Sequence, residues 1–281
     1  MNCETKQRIH FFKMTGTGND FILIDNRKRI IDANQCRDFV RRACRHKVSV
    51  GADGMILIEN DSEADFGWRF FNADGSEAEM CGNGARCAAR FAYLTGIVDR
   101  PRMTFRTLAG NITAELLDTK VKVRMPLPHS LCLDVSLEAE GRRFELDTIN
   151  SGVPHAVCFF EDERGLEEMD VARWGKALRY HPHFHPAGTN VNFVYVDDPH
   201  RLTVRTYERG VEGETLACGT GCIASALTAA AVDLVQSPVD VKVRSGELLT
   251  IYFHKDAGGR QCDGILFDDV FLEGEAMVVY E

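Results

Sequence analysis

Apolar residues recur along this chain in short runs, some alternating with polar positions and some unbroken. These runs predict strands at 21–25, 55–59, 68–71, 120–124, 156–160, 192–196, 202–207 and 239–244. Apolar residues at helical spacing predict helices over 34–45 and 170–178. Two further helices, 85–93 and 222–235, are apolar nearly all round. A helix with no polar face must be covered on every side. Many strands and two such helices predict a mixed α/β (α+β) fold, with two sheets each wrapped around one central helix.

The chain also repeats itself. Around Glu77 it reads E-A-E-M-C-G-N-G-A-R-C-A-A, and around Glu214 it reads E-T-L-A-C-G-T-G-C-I-A-S-A. Both fit E-x-x-x-C-G-x-G, both follow an aromatic strand, and both open one of the all-apolar helices. A single C-G-x-G more often marks a tight turn than a site. Two copies in the same strand–loop–helix setting, about half the chain apart, indicate duplication into pseudo-symmetric halves. The expected halves are 1–126 and 127–269, joined near the proline-punctuated stretch 125–129. The last strand, within 270–281, is expected to return to the first half.

The motif has chemical consequences. A cysteine immediately before a glycine turn that starts a helix lies beside N–H groups lacking intrahelical partners. The helix dipole favours a thiolate there, and the same N–H groups cradle a carboxylate. Gly82 and Gly84, like Gly219 and Gly221, let the backbone approach a ligand closely. Cys81 and Cys218 are therefore candidate bases. Two such units facing one another suit inversion at carbon, one thiolate removing a proton while the opposite thiol delivers another. The pair would titrate as a coupled system. An amino-acid α-proton is very weakly acidic, so preorganised donors in a water-excluded cleft must carry the developing charge. No pyridoxal-phosphate lysine with its phosphate loop is legible, and no cofactor is expected.

Composition narrows the setting. Ten cysteines in 281 residues with no secretory signal read as reduced thiols of a cytoplasmic protein. Cys3, Cys36, Cys44, Cys87, Cys132, Cys158, Cys222 and Cys262 are expected to pack passively or to sit unreactive. A net charge of −9 argues against a nucleic-acid partner, whose phosphates call for a basic face. Residues 1–8 are polar, and no run reaches the ~18 apolar residues of a membrane span.

At these residues the chain resembles the diaminopimelate epimerases, over nearly its whole length and in the expected order. The matching segments are F-F-K-M-T-G-T-G-N-D-F around Asn19, G-A-D-G around Asp53, and F-N-A-D-G-S-E-A-E-M-C-G-N-G-A-R-C around Asn72 and Cys81. Downstream are V-P-H around His155, T-N-V-N-F-V around Asn190, and Y-E-R-G-V-E-G-E-T-L-A-C-G-T-G around Glu208 and Cys218. The resemblance implies two similar α/β halves, each a barrel-like, mostly antiparallel sheet around a central helix, with the active site in the cleft between them. It also implies a homodimer that interconverts LL- and meso-2,6-diaminoheptanedioate without cofactor or metal, in lysine and peptidoglycan precursor synthesis.

Residue roles follow from the same resemblance. Cys81 and Cys218 match the catalytic acid–base pair, and Gly82, Asn83, Gly219 and Thr220 match the turns whose backbone donors hold the reacting carboxylate. Asn19, Asn72, Asn190 and Arg209 match substrate-binding positions, Arg209 as a bidentate clamp. His155 and Glu208 match polar groups beside the reacting centre, Glu208 also within reach of substrate. Taken alone, each asparagine reads as a turn or cap, Arg209 as a surface charge and His155 as a loop histidine. Val153 stands where family members often carry asparagine, and Gly54 where some carry glutamine. Both changes are expected to alter how the distal end of the substrate is held.

Three other readings compete. A racemase of the same architecture acting on proline or hydroxyproline would share C-G-T-G, but C-G-N-G-A-R-C and Y-E-R-G favour diaminopimelate. Metal binding by Cys81 with Cys87, Cys218 with Cys222, or His181, His183 and His185 lacks zinc-ligand spacing, and Pro182 and Pro186 break the strand that would converge the histidines. T-G-T-G-N-D near Gly16 and Gly18 lacks the full dinucleotide fingerprint and reads as a tight turn into the 21–25 strand.

Overall fold

Parallel neighbours in a sheet need a long crossover, and that need decides where this chain places its main helices. The computed structural model describes residues 8–256 and 267–281, so Cys3 and Cys262 lie outside the described residues. The chain divides into two compact units, Met1–Val123 with Glu275–Glu281, and Arg124–Gly274.

The first unit begins with β1 (Phe12–Gly16) and β2 (Asn19–Asp25), joined by a two-residue hairpin turn. Thr17 and Gly18 both have positive φ, 50° and 84°, as the favoured hairpin turn requires. The T-G-T-G segment is thus the tight turn its sequence predicts. Helix α1 (Cys36–Ala43) crosses over to β3 (Gly54–Glu59), parallel to β2. Next come β4 (Phe66–Asn72), the short β5 (Glu77–Ala78) and helix α2 (Gly82–Leu94), which leads to β6 (Arg102–Thr107), parallel to β4. β7 (Gly110–Leu117) and β8 (Lys120–Arg124) follow, and the C-terminal strand Met277–Tyr280 pairs antiparallel with β1. Helix α2 packs on β1, β2, β3 and β7, strands spread across the row, so the sheet curls around it. Its alanines, Ala85, Ala88, Ala89 and Ala92, are fully buried and let those strands approach closely.

The second unit repeats this plan. β9 (His129–Ala139), β10 (Arg142–Asn150) and β11 (Pro154–Phe160) precede α3 (Glu163–Glu167) and α4 (Val171–Arg179). β12 (Asn190–Asp198) lies parallel to β11, β13 (Arg201–Glu208) antiparallel to β12, and the short β14 (Gly213–Thr215) leads to α5 (Gly219–Ala231). β15 (Val239–Lys242) returns parallel to β13, followed by β16 (Leu248–Lys255) and β17 (Phe267–Glu275). In each unit, parallel pairs occupy the same two places in the row, and only the crossover helix of the second pair, α2 or α5, is buried along most of its length. The sequence repeat is a repeat of fold.

Both buried helices are offset from their predicted bounds. Each starts earlier, at Gly82 and Gly219, because the glycine turn is itself the first helical turn. Helix α5 stops at Ala231 rather than 235: Asp233 adopts φ +61°, its N–H reaches the Ala230 carbonyl, and the Leu234 N–H reaches that of Ala229. Gly96, Ile97, Tyr93 and Ala92 close α2 in the same manner. Strands β6, β7, β9 and β10 alternate buried and exposed positions, yet their outward faces carry enough polar and charged residues that apolar runs do not reveal them.

Gly54, one of the two departures, has a packing reason. A Cβ there would lie 2.7 Å from both the Phe70 ring edge and the Phe71 carbonyl oxygen. Gly54→Gln is expected to destabilise the protein by about 3 kcal/mol, as overpacking of a tight core does. Urea unfolding checks it: an unchanged midpoint would show that the strands yield at no cost.

Candidate active site

The motif glutamates anchor rather than react. Glu77 on β5 receives two hydrogen bonds from Arg69 on β4, from Nε at 2.8 Å and Nη2 at 3.0 Å. Glu214 on β14 receives the same pair from Arg205 on β13, at 2.7 and 2.9 Å. Each bidentate clamp fixes the short strand from which the cysteine loop springs. Four residues on, Cys81 and Cys218 are the N-caps of α2 and α5. In both, extended backbone turns directly into helix, so the sulfur sits at the positive end of the helix dipole.

In the first unit the Cys81 Sγ accepts the Gly84 N–H at 3.4 Å. Gly84 leaves room for this, since a Cβ would meet Ile56 at 3.2 Å and Cys81 itself at 3.5 Å. The Asn83 side chain donates to Asn19 Oδ1 at 2.7 Å and to the Thr17 carbonyl at 3.4 Å. Asn19 in turn donates to Asp53 at 3.0 Å. Asp53 also accepts from the Asp20 backbone, and Lys13, almost fully buried, pairs with Asp20 at 2.7 Å. Asp20, His46 and Asp53 are arranged closely enough to hold a cation, but the Lys13 ammonium already supplies one.

In the second unit Cys218 Sγ lies 3.5 Å from Thr220 Oγ1, and Thr220 Oγ1 lies 3.0 Å from His155 Nε2. His155 is buried on β11 and its other ring nitrogen meets the Asn192 amide at 3.0 Å. Burial, reinforced by the nearby Arg209 guanidinium, pushes its pKa down to about 3, so the ring is neutral. Asn190 is also buried; it donates to the Pro154 carbonyl at 3.2 Å and accepts the Arg209 N–H at 2.8 Å. That pair of bonds ties the start of β11 to the Y-E-R-G turn. The Arg209 guanidinium donates to the Ala187 carbonyl, and Glu208 ends β13 half-buried.

The profile of the diaminopimelate epimerase family matches residues 11–129 and 148–261. The diaminopimelate epimerases of Hydrogenobaculum sp. and Aquifex aeolicus are each 46% identical to this chain. The alignments cover 96% and 97% of it, and 96% of either relative. This chain belongs to the diaminopimelate epimerase family. Among solved structures, a Bacillus anthracis protein of the phenazine biosynthesis PhzF family shares the fold, with a TM-score of 0.73 at 15% identity. It covers 97% of both chains. A hydroxyproline epimerase from Agrobacterium vitis, bound to trans-4-hydroxy-L-proline, does so with a TM-score of 0.69 at 17% identity, over 98% of this chain and 92% of that one.

Within this family member the geometry gathers the proposed residues in two groups. Asn19, Gly82 and Asn83 lie around Cys81, and His155, Gly219 and Thr220 around Cys218, with Asn190 and Arg209 linked to one another. Asn72 is exposed at the end of β4, where it donates to Ser76 Oγ at 3.0 Å. Val153 is half-buried in the turn between β10 and β11. His181, His183 and His185 fall on one short helical turn, and His181 Nδ1 accepts the His183 N–H. Cys44, Cys87 and Cys158 are buried, and burial pushes their thiols up to about 11, 12 and 12. They stay protonated and inert at neutral pH.

Two further polar side chains, absent from the expected set, are enclosed beside the motifs. Arg86 in the first motif is fully buried, and Asn192 on β12 is equally enclosed. An arginine inside an alanine-rich helix was a signal, because a buried guanidinium must have acceptors waiting. Asn192 gave no such signal: an asparagine in an apolar strand differs from other buried polar residues only through its partners.

Proposed function

We propose that the protein is a diaminopimelate epimerase that interconverts LL- and meso-2,6-diaminoheptanedioate, with Cys81 and Cys218 exchanging the α-proton from opposite faces and no cofactor taking part. The observation that carries this reading is the doubled motif: two cysteines, each capping a thirteen-residue buried helix at a glycine turn, in a member of this family. The N–H groups of Gly82, Asn83, Gly219 and Thr220 start those helices without intrahelical acceptors, which suits the charge of a reacting carboxylate. Asn19, Asn72, Asn190 and Arg209 supply amide and guanidinium groups for a substrate zwitterionic at both ends. Glu208 offers a carboxylate to an ammonium group, and His155 supports the reacting end. The reaction serves lysine and peptidoglycan precursor synthesis in the cytoplasm, and the enzyme works as a homodimer. Among the described residues no helix is long and apolar enough to cross a membrane.

The test is incubation of LL-diaminopimelate with purified enzyme in deuterium oxide, followed by proton NMR. The expected result is meso product carrying one solvent deuteron per inversion, with undiminished rate after dialysis against EDTA and without pyridoxal phosphate. Inversion of proline or hydroxyproline with diaminopimelate untouched would replace this reading by a racemase of another amino acid. Comparable turnover of glutamate would instead show that Val153 has loosened the grip on the distal end.

A further inference from the structure

Four side chains of the second unit, Asn192, His155, Thr220 and Cys218, form a hydrogen-bonded chain whose donor and acceptor roles are fixed from Asn192 as far as Thr220. It starts at Asn192. Its amide nitrogen lies 3.1 Å from the Ala156 carbonyl oxygen, which only accepts, so that atom is the NH2 and not the oxygen. The amide oxygen then faces Thr206, whose hydroxyl donates to it at 3.0 Å. With one N–H given to Ala156, the other points at His155 Nδ1, 3.0 Å away. Nδ1 must accept, so the proton of the neutral ring sits on Nε2. Nε2–H donates to Thr220 Oγ1 at 3.0 Å, which occupies one lone pair of that hydroxyl. The hydroxyl proton is left to point toward Cys218 Sγ at 3.5 Å.

Gly221 makes this packing possible. A Cβ at that position would sit 2.4 Å from Asn192 Oδ1, so only glycine lets the amide reach under the first turn of α5. The glycine that the motif reserved for approach to a ligand is also reserved for approach to Asn192. In the first unit the place of Thr220 is taken by Asn83, whose amide is turned to Asn19 and Thr17. The two cysteines therefore have different polar neighbours.

We infer that Thr220 is a positioning residue whose hydroxyl, oriented through His155 by Asn192, donates a hydrogen bond to the Cys218 thiolate and holds that sulfur ready as a base. The inference rests on the acid–base role proposed for Cys218. No proton travels along the chain. When Cys218 is a thiolate, the O–H···S⁻ bond is charge-assisted; when it is a thiol, the remaining lone pair of Thr220 receives only a weak S–H donor. The difference favours the thiolate. The Thr220 backbone N–H remains available to substrate throughout, so hydroxyl and amide serve separate ends.

Thr220→Val keeps shape and backbone and removes the hydroxyl, while Thr220→Ser keeps the hydroxyl. Alkylation of Cys218 by iodoacetamide, followed peptide by peptide across pH, reads thiolate formation directly and independently of turnover. In Thr220→Val the alkylation profile is expected to move to higher pH by about one unit, the weight of one hydrogen bond to a charged group. kcat at neutral pH should fall about tenfold with KM within about twofold, and Thr220→Ser should restore both. An unmoved alkylation profile in a folded Thr220→Val protein would overturn the inference. A moved profile in a parent enzyme that inverts no amino acid would uphold the hydrogen-bond chain and sink the epimerase reading instead. Nitrogen-15 NMR of the His155 ring is a second measurement that needs no variant: Nε2–H with bare Nδ1 is expected, and the opposite tautomer would overturn the inference.

Discussion

Cys81→Ala and Cys218→Ala are each expected to lower the rate of diaminopimelate inversion by at least about 10³-fold, the scale of losing one general acid–base group. The reason is stereochemical. Inversion needs a proton removed from one face and another delivered to the opposite face, so a lone sulfur can at best return the proton where it came from. The losses should not add, because either change already breaks the pair, and the double variant should be about as slow as each single one. Structure should survive both changes. Cys81 and Cys218 are N-caps whose helices are held by buried alanines and by the Glu77–Arg69 and Glu214–Arg205 clamps, none of which the substitutions touch. The measurement is the rate of meso formation from the LL isomer, alongside circular dichroism to confirm folding. If a folded single variant kept a tenth of the parental rate, the two-sulfur scheme would be wrong.

Arg86→Leu should cost about 3 kcal/mol of stability and lower the thermal midpoint by about 10 °C. Two effects oppose one another. Removing a buried charge saves its desolvation, and an apolar replacement of similar bulk is sometimes neutral. Against that, Arg86 donates to Thr17 Oγ1 at 2.8 Å, to Asn83 Oδ1 at 3.1 Å and to the Glu275 carbonyl at 3.4 Å. Leucine leaves these acceptors with one donor fewer in a place water does not reach, at about 1–3 kcal/mol for each acceptor left unsatisfied. Thr17 adds to the loss, since its φ of +50° is uncommon for a threonine and its hydroxyl bond to Arg86 helps hold it. The penalty therefore outweighs the saving. Thermal unfolding of the variant checks it, and a midpoint within about 2 °C of the parent would show that the guanidinium is dispensable.

Much of this architecture was readable as pattern. The two all-apolar helices are present and buried, shifted from their expected bounds by up to four residues, because a helix without a polar face has only the interior open to it. The strand at 120–124 has the bounds predicted for it, and the T-G-T-G turn is a hairpin turn because its dihedral demands suit glycine. The amphipathic strands β6, β7, β9 and β10 escaped, since half of each faces water and its polar residues dilute the apolar signal. The departure at Gly54 was legible as a difference but not as a necessity. Its cause is the Phe70 ring and the Phe71 carbonyl on the neighbouring strand, and no local window contains that contact with its distance.

Which residues stand at the head of the two buried helices is legible along the chain, because a cysteine, two glycines and an apolar helix are local features. That information sufficed to name Cys81 and Cys218 and to expect a thiolate at a helix N-terminus. What surrounds those sulfurs comes from the folded chain: the motif glutamates are clamped by arginines, Arg86 fastens a hairpin turn to α2, and Asn192 fixes the His155 tautomer. A hydrogen bond between side chains depends on separations of a few tenths of an ångström between residues distant along the chain. Hydropathy and spacing carry no information at that scale.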